Sequence, residues 1–180
     1  MLASRLERCT SGDDYLSALY LDLSNMAEHQ HSWALAEEAI EEYLLAPRHC
    51  LAHQKPDGGV LGYPAALLLL CTINALGTYL RNEDVTINGR NQTITAGGPF
   101  RVLNHPLLNQ NLSDEQIKRI EKAFRNPLAH NALIASGVGL TPAEASSPFK
   151  FPNKEVWISV PTLYELVAHA WAHFDKTKIK

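Results

Sequence analysis

The stretch Pro64-Ala65-Ala66-Leu67-Leu68-Leu69-Leu70-Cys71-Thr72-Ile73-Asn74-Ala75-Leu76-Gly77-Thr78-Tyr79-Leu80-Arg81 decides how this chain is read. It is apolar almost all round, and a helix without a polar face belongs in the middle of a packed structure. Pro64 suits its first position, where the missing N–H has no intrahelical partner to lose. The run is too short to span a bilayer, which takes about 20 apolar residues. Leu68, Leu69, Ile73 and Leu76 are expected in the core. Gly77 costs about 1 kcal/mol against alanine in a helix interior, a cost that a close helix–helix approach would offset.

Upstream, Pro56-Asp57-Gly58-Gly59 marks a turn within a loop from Arg48 to Gly62. Before it, Trp33, Ala36, Ile40, Tyr43 and Leu44 recur at helical spacing, with Glu37, Glu38, Glu41 and Glu42 mostly toward water. Pro47 is expected to stop that helix. An earlier stripe, Leu16, Leu19, Tyr20, Leu23, Met26 and Ala27, follows a capping-box-like Ser11 and Asp14.

Downstream, residues 82–112 form a polar insertion. Within it, Val85-Thr86-Ile87 and Gln92-Thr93-Ile94 flank Asn88-Gly89, the signature of a small β-hairpin. Ser113-Asp114-Glu115-Gln116 is a capping box opening a helix with Ile117, Ile120 and Phe124 on one face. Asn126-Pro127 can start another helix, which Gly137-Val138-Gly139 ends. Residues 139–154, with Pro142, Pro148 and Pro152, read as a loop, and Glu155 to Val160 as a short strand. A last helix carries Leu163, Leu166, Val167, Ala170, Trp171 and Phe174; Pro161 opens it, and Lys176, Lys178 and Lys180 suit its C-terminal dipole. The expectation is an all-α, up-and-down helical bundle, a single domain over residues 1–180 with the hairpin as an insertion.

Composition narrows the classes. The chain has 180 residues, 46% hydrophobic and 19% charged, with a formal net charge of −3. That is too apolar and too weakly charged for a disordered chain. Nothing global draws it to nucleic acid or to an anionic membrane, so a polyanion would need a local patch. Three cysteines without CxxC spacing exclude a disulfide scaffold. With a charged N-terminus lacking an apolar core, they point to the cytoplasm and away from a membrane.

The candidate chemistry lies at Phe124-Arg125-Asn126-Pro127-Leu128-Ala129-His130. A helix break at Asn126-Pro127 can bring Arg125 and His130 together. A guanidinium can hold a phosphate by two parallel hydrogen bonds. An imidazole titrating near neutrality can serve as general base or acid. These groups suffice for RNA cleavage through the 2′-OH without a metal. The plainer reading puts Arg125 on a solvated face and packs His130 against a backbone partner. Lys118, Lys122 and Arg125 fall within about 60° on the helical wheel, opposite Ile117, Ile120 and Phe124, a basic stripe leading to the motif.

An apolar helix, an insertion, then a helix ending in Phe-Arg-Asn with a histidine shortly after resembles the HEPN superfamily. The pattern covers Tyr15 to Phe174 and is specific in Arg125-Asn126-Pro127-Leu128-Ala129-His130. The resemblance implies a helical bundle that forms a homodimer with two facing motif copies. It also implies an RNA-binding protein or a metal-independent endoribonuclease, in a toxin–antitoxin or phage-defence setting with an antitoxin-like protein partner. Arg125 and His130 would be catalytic and Asn126 would assist; the basic stripe itself offers Lys118 and Lys122 for binding RNA, its plainer reading being a solvated face flanked by Glu115 and Glu121. Where the toxin branch often has a tyrosine, this chain has Ala132. The rival from another class is a non-catalytic dimeric helical protein, an interaction or scaffold module.

No metal or cofactor is expected. His169 and His173 are four apart on the last helix, but Ala170 stands where a HExxH motif has its carboxylate. His49, Cys50 and His53 lack a fourth ligand and paired spacing. The absence of GxSxG, Walker and GxGxxG patterns removes serine hydrolase, nucleotide kinase and dinucleotide enzyme readings.

Overall fold

A computed structural model describes residues 28–56, 59–124 and 137–179. The chain divides into two units after Glu38. Of the first, the described residues are Glu28 to Glu38, the opening turns of helix α1 (Glu28–Ala52). All the remaining described residues belong to the second unit, Ala39–Lys180. The expected first helix, Leu16 to Ala27, lies outside the described residues, as does the helix expected after Asn126-Pro127.

Helix α1 does not stop at Pro47; it runs on to Ala52. Proline removes one backbone bond from a helix interior, and here the ring is buried. The turn beyond is held from outside as well: His53 N–H donates to His49 O at 3.0 Å and Leu61 N–H to Cys50 O at 3.2 Å. These bonds satisfy carbonyls that a helix end leaves open.

Helix α2 (Gly62–Tyr79) is central, as its sequence requires. Ala65, Ala66, Leu69, Leu70, Ile73 and Leu76 are fully buried, and Thr72 returns its hydroxyl to Leu68 O at 3.0 Å. Leu68 itself is only half-buried, on a flank with Leu67 and Cys71. Gly77 does meet a close neighbour, but not a helix. A Cβ there would lie 2.1 Å from the carbonyl oxygen of Pro99. Pro99 opens a 3-10 segment, Pro99–Asn104, which packs along α2 and contributes fully buried Phe100, Val102 and Leu103.

Strands β1 (Asp84–Ile87) and β2 (Arg90–Thr93) pair antiparallel with Ile87 opposite Arg90. Asn88 and Gly89 both have positive φ, 53° and 71°, as a two-residue hairpin turn of the primed kind demands. Helix α3 (Asp114–Ala123) opens on the expected capping box. Ser113 Oγ accepts from Gln116 N–H at 3.2 Å, and Gln116 Oε1 accepts from Ser113 N–H at 2.8 Å.

A second sheet overturns the expected all-α bundle. Strands β3 (Val138–Thr141), β4 (Phe149–Lys150) and β5 (Val156–Ser159) form three-stranded pairing in the order β3-β5-β4. β3 runs parallel to β5 and β4 antiparallel to it. Among the described residues, four α-helices thus share the chain with five strands in two sheets, a mixed α/β fold. The stretch expected as a loop hides two strands, because they are four and two residues long. Neither is long enough to show period-two alternation, and glycine and proline punctuate both. Only Val156-Trp157-Ile158 alternates, with Val156 and Ile158 buried and Trp157 exposed.

Helix α4 (Val160–His173) follows β5 directly and packs on α2 through Leu163, Val167 and Ala170. Its expected lysine-rich end is a separate 3-10 turn, Lys176–Lys178. Lys176 lies 4.5 Å from the centre of the Trp171 ring, and Lys178 reaches Glu83 at 2.7 Å. Lys180 lies outside the described residues. No helix among the described residues is long and apolar enough to cross a membrane.

Candidate nucleic-acid interface

Helix α3 sets the first cations in place. Ile117 and Ile120 are buried, so Lys118 and Lys122 are turned to solvent one turn apart. Lys118 is 69% exposed and pairs with Asp114 on the preceding turn. Arg119 pairs with Glu115 and donates through Nη1 to Asn153 O at 2.7 Å, which ties α3 to the turn between β4 and β5. At the far end of α3 the Phe124 ring packs 5.3 Å from the buried Phe100 ring. Arg125, Asn126 and His130 follow in sequence but lie outside the described residues.

The sequence stripe misses two further cations. Arg90 opens β2, and Arg101 sits in the 3-10 segment, where its Nη1 donates to Thr93 O at 3.0 Å. With Lys118 they line one polar groove of about 450 Å³, joined by Asn88, Gln92 and Asp114. Three cationic side chains from three elements therefore face one carboxylate, which Lys118 already engages.

One amide positions the walls of this groove. Asn104 Nδ2 donates to Thr86 O at 3.0 Å and to Leu112 O at 2.7 Å, while its Oδ1 accepts from Leu112 N–H at 2.7 Å. The 3-10 segment is thereby clipped to the hairpin on one side and to the approach to α3 on the other. Converging donors held in this way can take a phosphate oxygen without reorganising. Sequence offered a signal for Arg90, since it follows the Asn88-Gly89 turn directly. It offered none for Arg101.

A second polar cluster lies at the hairpin base. Glu83 accepts from Lys178 Nζ at 2.7 Å and lies 3.0 Å from His105 Nε2. His105 Nδ1 accepts from Leu107 N–H at 3.2 Å, so the proton sits on Nε2 and points at Glu83. The Lys178 ammonium, and after it the imidazole, hold the Glu83 carboxyl below the usual glutamate range. A carboxylate so clamped is a poor base, and the cluster acts as a clasp between distant parts of the chain.

His169 and His173 stack with ring centres 4.2 Å apart, and His173 Nδ1 donates to His169 O at 2.9 Å. Among the described residues no group of three or more histidine, cysteine or acidic side chains could hold a metal. Burial pushes the Cys71 thiol up, away from reactivity. No family model, no curated protein and no solved structure matches this chain.

Proposed function

We propose that this chain is a cytoplasmic RNA-binding protein of HEPN type that cleaves RNA without a metal. The observation that supports the reading is the groove in which Arg90, Arg101 and Lys118 converge, with Lys122 one turn further along α3 toward the motif. Phosphates would be held there by charge-assisted hydrogen bonds. In the motif, His130 would move the proton of the 2′-OH or of the leaving oxygen. Arg125 would stabilise charge on the phosphorane, and Asn126 would orient the phosphate or the imidazole. The setting proposed is a homodimer in a toxin–antitoxin or phage-defence system, where an antitoxin-like protein would restrain it.

A cleavage assay on structured and single-stranded RNAs tests this. His130→Ala and Arg125→Ala are each expected to lower the rate by about 10²–10⁴-fold, the range for loss of a general acid or base. Chelation with EDTA is expected to leave the rate unchanged. Lys118→Ala should weaken binding and lower its salt dependence by about one phosphate contact. The half-buried apolar flank of α2 at Leu67 and Leu68 favours a second reading, the dimeric interaction module. A wild type that dimerises but neither binds nor cuts RNA would establish that reading instead.

A further inference from the structure

The outer face of the β3-β5-β4 sheet carries an unusual row. Register places Gly139 on β3 beside Trp157 on β5, and Trp157 beside Lys150 on β4. The inner face is apolar and closed, with Phe149, Val156 and Ile158 buried. On the outer face, Trp157 is 42% exposed. This indole is exposed and yet held in place.

Its seat is Gly139. A Cβ at that position would come within 2.6, 2.7 and 2.8 Å of three atoms of the indole's six-membered ring. The ring therefore lies flat against the strand where the side chain is missing. The indole Nε1–H donates to Glu155 Oε2 at 2.8 Å, which fixes the ring in its plane and occupies its one polar group. What remains is a half-exposed ring that lines a hollow of about 420 Å³ together with Thr141, Ser147, Lys150, Pro152 and Ser159. Ser159 turns its hydroxyl inward to Ala143 O at 2.7 Å, so the floor asks little of a ligand in hydrogen bonds.

We propose that this hollow stacks one unpaired RNA base on Trp157, with Lys150 meeting the adjoining phosphate. The inference rests on the RNA-binding function proposed for the chain and narrows it to single-stranded RNA. Every base has a π-face, so such a platform binds without choosing sequence. The charge fits: Lys150 lies beside the ring, exposed Lys154 is in the next turn, and the nearest carboxylate, Glu155, is engaged by the indole. The place fits too, because Arg119 joins that turn to α3, the helix that carries Lys118 and Lys122.

The test is fluorescence anisotropy with a short 2′-O-methyl oligouridylate, which resists cleavage, and an abasic oligomer of the same length. Trp157→Ala and Trp157→Leu are expected to weaken oligouridylate binding by roughly 5- to 150-fold, the span measured for loss of one base–aromatic stack. Trp157→Phe should retain most of the affinity. The abasic oligomer should bind wild type and all three variants alike, and the salt dependence should not change. Oligouridylate binding that Trp157→Leu leaves intact, while Lys118→Ala still weakens it, overturns the platform and spares the RNA-binding function. Equal loss for both oligomers also overturns the platform, since it reports a damaged sheet. Failure of the wild type to bind either oligomer overturns both.

Discussion

The hairpin β1–β2 and the sheet β3-β5-β4 are both made of strands of four residues or fewer, yet they are built on opposite logic. The hairpin pairs residues that are neighbours in sequence, from Ile87 with Arg90 out to Asp84 with Thr93. The sheet pairs Val138 with Val156 and Thr141 with Ser159, and the connecting chain supplies the third strand. Each region leans on one glycine. On the hairpin side Gly77 admits the backbone of Pro99; in the sheet Gly139 admits the ring of Trp157. Backbone cannot step aside, whereas an exposed ring can. The two contacts look alike as distances and differ in what a methyl group would cost.

The largest expected effect breaks that comparison at its rigid end. Gly77→Ala should destabilise the protein by about 3 kcal/mol or more, at the upper end for overpacking, because the added carbon meets a carbonyl on a neighbouring segment. Urea unfolding followed by circular dichroism would show it. A loss below about 1 kcal/mol would mean that the 3-10 segment slides on α2. Gly139→Ala comes next. It should cost about 1 kcal/mol, since the indole can tilt away, but it should change tryptophan emission as the Glu155 contact is lost. Unchanged emission would show that the ring does not depend on its seat.

The smallest effect concerns the clasp at the hairpin base. Glu83 is held below its unfolded value, about 4.3 for a glutamate, so its contribution is present above that value. It is lost as pH falls through the lower, folded value. Thermal melts between neutral and strongly acidic pH should therefore fall less steeply for Glu83→Gln than for wild type in the acid range. Identical slopes would mean that Lys178 and His105 give the carboxylate nothing in solution.

The same contrast explains what could be read in the sequence. The Asn88-Gly89 turn and the Ser113–Gln116 box carry their geometry in four residues or fewer, and both form as their residues dictate. The core of α2 was legible because nearly every residue is apolar. Strand β3 was not, for its partner lies 18 positions away and its sequence, Val138-Gly139-Leu140-Thr141, is too short for the alternation of Val138 and Leu140 with Gly139 and Thr141 to stand out. Pro47 misled because a local rule yielded to burial and to bonds made by residues beyond the helix. Of the groove's cations, the helical wheel located Lys118, with Lys122 one turn beyond it on the same helix. Arg90 and Arg101 join them only through the fold, and Glu83, His105 and Lys178 meet across 95 positions.

Asn104 holds two carbonyls with one nitrogen, so a change of one atom there would act on two segments at once. Asn104→Asp would put an oxygen in place of that nitrogen, and an acceptor would then face Thr86 O at 3.0 Å and Leu112 O at 2.7 Å. Attraction would become repulsion at both carbonyls, while Leu112 N–H would keep its acceptor. The hairpin, and Arg90 with it, would come loose from the 3-10 segment while the α2 core stayed intact.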